Sequence, residues 1–147
     1  MNNAQAANIR ALRQYTTMGT RTEVESASQH RLIQMLMEGA LARIIKAKTY
    51  IQNNDTHMKG ELISMAISII GGLRDSLDHK AGAEIAGNLD RLYEYMSVRL
   101  LEANLRNDAV ILDEVYELMS EIKGAWDAIG QPPPGMNSMP VIDRQAV

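Results

Sequence analysis

The sequence predicts an all-α fold, an antiparallel up-down four-helix bundle, and three observations carry that prediction. Four long segments repeat apolar residues with a helical period, short breakers rich in Asn, Asp and Gly separate them, and no segment alternates apolar and polar residues as a strand would. The breakers are only a few residues long, which makes consecutive helices antiparallel neighbours. A chain of 147 residues, 46% hydrophobic and 22% charged, suits one domain large enough to bury most of its unfolded surface. The expected organisation is a short N-terminal helical segment over 1–27, the bundle over 28–130 and a disordered tail over 131–147.

Taken in order, residues 1–27 are polar and Ala-rich, with Ile9, Leu12 and Tyr15 at i, i+3 and i+6. Two or three helical turns can form there, too few to be stable alone, so the segment either docks on the bundle or moves. The first long helix is expected from about Ser28, whose hydroxyl suits an N-cap, to about Gln52, with Leu32, Leu36, Gly39, Ala40, Ile44, Ala47 and Ile51 inward and Leu41 and Ile45 outside that arc. Asn53-Asn54-Asp55 supplies turn and cap chemistry. The second helix, about Thr56 to Leu77, buries Leu62, Met65, Ala66, Ile69, Ile70 and Leu73. Its Gly71-Gly72 pair costs roughly 1 kcal/mol per Gly relative to Ala, which close packing of a neighbour or a kink would explain.

Asp78 to Gly82 is the next breaker, and the third helix spans about 83 to 106. Ile85, Leu89, Leu92, Met96, Leu100 and Ala103 form its inward stripe, flanked by Asn88, Tyr93, Tyr95, Arg99 and Asn104. At about 100° per residue, the arc from Tyr95 through Tyr93 to Asn104 covers roughly half the circumference, wider than a surface helix needs. Val98, Leu101 and Leu105, at i, i+3 and i+7, add a second apolar patch on its back. Asn107-Asp108 turns the chain into a fourth helix lined by Ile111, Val115, Leu118, Met119, Ile122 and Trp126. Gly130 and Pro132-Pro133-Pro134-Gly135 end it. The Pro-, Gly- and Met-rich tail beyond has no period and reads as disordered.

Composition excludes several functions. A formal charge of −3 without a Lys/Arg cluster argues against a nucleic-acid partner. Cys is absent, which removes thiolate chemistry and suits a reducing compartment. No signal-peptide h-region and no run of about 18 apolar residues is present, so no membrane insertion is expected and the cytoplasm is the default location. His30, His57 and His79 stand outside the Glu-x-x-His spacing of di-metal bundles and read as surface or capping residues, leaving no metal, cofactor or catalytic set. His57-Met58-Lys59-Gly60 is similar to the phosphorelay histidine of phosphotransfer bundles, but its His is one residue too close to Lys-Gly and sits at a helix start. Asp108, Asp113, Glu114 and Glu117 lie on a solvated face with nothing to raise a carboxyl pKa. What remains is surface for another chain: apolar grooves between helices, rimmed by Tyr and Asn, with ten Met residues able to adapt to a partner.

Asn88 to Asp108, reading NLDRLYEYMSVRLLEANLRND, resembles the core motif of FliS, the family of flagellin-specific export chaperones. Ser28 to Leu41 is similar to that family's first long helix, Gly82-Ala83-Glu84-Ile85-Ala86 to the start of its third, and Ala125-Trp126 to the end of its fourth, so roughly residues 10 to 129 are covered. Gln29 and Arg31 stand where Pro and an acidic residue are usual, and Met37 where an aromatic is common. The resemblance implies a non-enzymatic chaperone that binds the disordered C-terminal segment of flagellin, which becomes partly helical as it wraps the bundle. Flagellin is thereby kept soluble, held from premature polymerisation and kept available to the flagellar type III export gate. It further implies that the 1–27 segment, through Ile9, Leu12 and Tyr15, caps part of the flagellin surface until displaced. Asn88, Tyr93, Tyr95, Arg99 and Asn104 would frame the grooves, although Asn88 and Arg99 equally suit buried contacts of the bundle. A phosphotransfer domain and a generic helical adaptor are the alternatives in other classes.

Overall fold

A computed structural model of the protein describes residues 28–130, which form four helices: α1 (Gln29–Gln52), α2 (Thr56–Asp75), α3 (Ala83–Arg106) and α4 (Ala109–Ile129). Each packs against two others, α1 on α2 and α4, and α3 on α2 and α4, so the helices close a four-membered ring in the up-down order. Local chemistry sets the ends. The Ser28 hydroxyl accepts from Arg31 N at 3.1 Å, Asp55 Oδ1 from Met58 N at 3.1 Å and Asp108 Oδ1 from Val110 N at 2.9 Å, each satisfying a free first-turn donor. Asn107 closes α3 in the left-handed conformation at φ 51°, which Asn tolerates better than most residues. The second helix ends at Asp75, with Ser76 as its cap, two residues before the expected Leu77.

The core is aliphatic and Met-rich. Leu36, Met37, Ala40 and Ile44 from α1 meet Ile63, Ala66, Ile69, Ile70 and Leu73 from α2, and α4 adds Ile111, Leu112, Val115 and Met119. Ile33, Met35, Met37, Ile63 and Leu112 were absent from the expected faces. Leu32, Leu41, Ile51, Met65, Leu118, Ile122 and Trp126 are only partly buried against the core. At Gly71 a Cβ would meet nothing within 4 Å, so close packing does not account for that glycine.

The third helix is rotated from the expected stripe. Ala86, Tyr93, Met96, Leu100 and Ala103 are buried, with Leu89 partly so, whereas Ile85 and Leu92 are exposed. The inward positions thus follow 86, 89, 93, 96, 100 and 103, a 3–4 alternation that matches the seam of a bundle helix. Ion pairs flank the buried face on both sides. Arg74 of α2 reaches Asp90 at 2.5 Å and Glu94 at 2.8 Å, while Arg99 reaches Glu114 of α4 at 2.8 Å. Asp90 and Arg99 are nine residues apart, about half a circumference at ~100° per residue. Tyr93, Met96 and Leu100 fall midway between those brackets, on the face that is buried in the core.

Candidate functional site

The expected patch on the back of α3 is solvent-facing: Val98 is 57% exposed, Leu101 52% and Leu105 82%, joined past the turn by exposed Val110 of α4. Helix α3 therefore carries apolar side chains on its core face and on the face opposite. A helix apolar on opposite sides is normally buried on both, so its back is the feature a bundle alone leaves unexplained.

One flank of that face is polar and tied down. The Tyr95 hydroxyl donates to Glu114 Oε2 at 2.7 Å, Arg99 Nε donates to Glu114 Oε1 at 2.8 Å, and Arg99 Nη1 donates to Glu102 Oε2 at 2.6 Å. Donation from Tyr95, then from Arg99, holds the Glu114 carboxyl below its ordinary range, and the same contact raises the Tyr95 phenol. Arg99 thus makes bundle contacts while staying at the surface. Asn88 is exposed and accepts from Arg91 of its own helix.

Two expected rim residues sit elsewhere. Tyr93 is 2% exposed and part of the core, where burial pushes its hydroxyl up to about 12; it is not a flank residue. Asn104 is half-buried, and its carbonyl accepts from Lys59 Nζ at 2.9 Å. That ammonium also donates to Asn107 Oδ1 at 2.7 Å, so the buried Lys59 caps the C-terminus of α3, where a cation is favoured. His57 is exposed and lies 4.0 Å from Glu61. The buried Lys59 directs its ammonium to the end of α3 and not to His57. Ile9, Leu12 and Tyr15 lie outside the described residues. Among the described residues no His, Cys, Asp and Glu side chains cluster as metal ligands, and no helix is long and apolar enough to cross a membrane.

The structure adds a cavity of about 620 Å³ at the end of the bundle where α1 begins and α4 ends. Ile33 of α1, Leu77 after α2, Ile85 and Leu89 of α3, and Ile122 and Trp126 of α4 line it, with Glu121 and Asp78 at its edge. Its volume lies within the range of ligand sites, about 300–1,000 Å³. Exposed Ile85 belongs to this wall, so its departure from the core has a local use. Sequence reasoning missed the cavity because its residues come from α1, α3, α4 and the loop after α2, and only the fold brings those short stripes together.

Beside it, His30 is not a surface residue. Its ring stacks on Trp126 with centroids 4.7 Å apart and planes 13° from parallel, and its carbonyl accepts from Trp126 Nε1 at 3.0 Å. Gln34 Nε2 donates to Asp127 Oδ1 and Lys123 Nζ to Asp127 Oδ2, both at 2.7 Å, which holds the Asp127 carboxyl low, chiefly through Lys123. The ends of α1 and α4 are thereby locked together.

Comparison with known proteins matches residues 11–133 to a family described as flagellar protein FliS. The chain is 50% identical over 121 residues to flagellar secretion chaperone FliSB of Pseudomonas aeruginosa, covering 82% of this chain and 96% of that one. It is 45% identical to flagellar secretion chaperone FliS of Salmonella typhimurium over 119 residues, 80% of this chain and 88% of that one, and 45% identical to that of Escherichia coli over 113 residues, 76% and 83%.

Proposed function

Since the chain belongs to the FliS family of flagellar secretion chaperones, we propose that its export substrate is flagellin, bound through the C-terminal segment in the cytoplasm, kept from polymerising and held for the flagellar export gate. No chemical step is required of it. The observation that carries the reading is the solvent-facing apolar back of α3, at Val98, Leu101 and Leu105. A segment that orders only on binding loses several kcal/mol of conformational entropy, which a broad apolar surface with many modest contacts can offset. The cavity by Trp126 and the groove between α1 and α4, where Ile45 and Tyr116 flank the Lys48–Asp113 ion pair, extend that surface around the bundle.

Residues 1–27 act in this reading as a cap, with Ile9, Leu12 and Tyr15 covering part of the surface until flagellin displaces them. A cap lowers apparent affinity by the fraction of molecules it closes. Tyr15→Ala therefore leaves flagellin affinity equal or higher while lowering stability; weaker binding with unchanged stability would overturn the cap.

Calorimetry of the full-length protein with a peptide of about the last 50 flagellin residues, a length set by the 1,000 Å² or more that coupled folding buries, tests the function itself. A 1:1 complex with a gain of helix and a negative heat-capacity change is expected. Absence of a complex at micromolar concentration would reject flagellin as the substrate.

A further inference from the structure

We propose that Trp126 sets what the bundle-end cavity accepts and that His30 is the residue that positions it. The inference rests on the flagellin reading only for the identity of the occupant. Trp126 is the one tryptophan of the chain and, with Tyr93, supplies the aromatic surface of a cavity otherwise lined mainly by aliphatic side chains. Both freedoms of its indole are restrained: its face lies on the His30 ring at 4.7 Å, and its Nε1 donates to the His30 carbonyl at 3.0 Å. Beneath it the backbone is held by Asp127, which joins Gln34 of α1 and Lys123 of α4. The loop between α2 and α3 lines another part of the cavity. Between α2 and α3, Asp78 Oδ1 accepts from Lys80 N and Ala81 N, and Gly82 N donates to Asp78 O, so that loop bonds within itself. An occupant therefore meets a restrained indole and the α2–α3 loop, whose Leu77 packs against the core.

The side chain of His30 contributes through its flat ring. Its Nε2 is buried without a hydrogen-bond partner, a rare state for a polar atom, and the ring fills the space a Cβ on residue 130 would need, leaving room only for Gly130. The backbone hydrogen bond to Trp126 survives any substitution at residue 30. A planar aromatic replacement should therefore preserve the wall, and an aliphatic one should release it. The occupant such a wall selects is amphipathic: apolar side chains meet Ile33, Ile122 and the indole, and polar ones meet Glu121 and Asp78 at the edge.

The test uses the full-length protein as wild type, His30→Ala and His30→Phe, read by acrylamide quenching of the single tryptophan, by calorimetry with the flagellin C-terminal peptide and by thermal melting. His30→Ala should raise quenching and weaken the peptide by up to about tenfold, since a stacked aromatic pair adds only a modest increment beyond its burial, and His30→Phe should restore both. Trp126→Phe, which keeps a ring but loses the Nε1 donor, should also weaken the peptide; it serves as the second variant if His30→Ala does not fold. Unchanged quenching and affinity in His30→Ala, a lower melting temperature with unchanged affinity, or equal impairment of the Ala and Phe variants would each overturn the proposal. If the wild type itself does not bind, the flagellin reading fails, and the quenching comparison still decides whether His30 fixes the indole.

Discussion

Replacing Val98, Leu101 and Leu105 together by Gln puts the back of α3 to a quantitative test. In the free protein these side chains are 57%, 52% and 82% exposed, so most of their apolar surface gains nothing from the bundle. Gln is a good helix former, and the triple variant should change stability by no more than about 1 kcal/mol, the sum of small surface effects. If flagellin covers the face, each side chain loses its remaining exposure on binding. Full burial of such a side chain is worth about 2 kcal/mol, so the three exposed fractions together come to about 3 to 4 kcal/mol. Interfaces realise only part of such a sum, because ordering and desolvation oppose it. The expected loss is therefore about 10- to 100-fold in Kd, at 1.4 kcal/mol per tenfold. Calorimetry gives the Kd and thermal unfolding the stability. Wild-type affinity in a stably folded triple variant would refute the reasoning, and so would a stability loss of several kcal/mol, which would mean the face is packed in the free protein.

Three further outcomes follow from the bundle itself. Lys59→Met leaves Asn104 O and Asn107 Oδ1 without their donor; charged hydrogen bonds of this kind are worth about 1.5–3 kcal/mol each, partly offset by no longer burying the ammonium, so melting should show a net loss near 2 kcal/mol. Gly71→Ala meets nothing within 4 Å of its Cβ and should stabilise α2 by about 0.5–1 kcal/mol in the same assay. Glu114, Asp90 and Asp127 are held below their ordinary 4.5, 3.8 and 3.8 by Tyr95, Arg74 and Lys123 respectively. Depressed folded-state values contribute stability that is present above those ordinary values and lost as the pH falls through the folded ones. Denaturant midpoints should therefore be steady near neutrality and fall below about pH 4.5, and Arg74→Met should flatten that fall.

Helix number, order and turns were legible because each rests on local chemistry that a sequence displays: a Ser or Asp cap, an Asn-rich turn, a repeated period. The family was legible for a different reason, since the residues from Asn88 to Asp108 form a motif recognisable as it stands. The rotation of α3 was not. Ile85 and Leu92 are more hydrophobic than Ala86 and share a spacing of seven with the true pair, Ala86 and Tyr93, so the period fits both faces equally. What decides between them is which side chains the neighbouring helices bury and pair with, and those are tertiary facts. Lys59 was hidden for a similar reason: a lysine reads as surface until the end of α3 is placed over it. His30 stayed unread because its stack joins residues 96 positions apart.

Those same brackets bear on how a partner could be accepted. Because α3 is held by its buried face, flanked by ion pairs and capped by Lys59, its back is displayed without any core residue having to turn outward. A partner docking there leaves the bundle as it is, and the conformational cost of association falls on the partner, which must order. The cavity differs, because part of its lining is the self-bonded loop between α2 and α3 and part an indole held by a stack. Shape change on binding should concentrate at that end. Hydrogen exchange in the complex separates the two sites: protection along α3 between Tyr93 and Ala103 should already be high in the free protein and change little, whereas Leu77 to Ala86 should gain it. Gains spread evenly over α3 would mean that its back is not preformed.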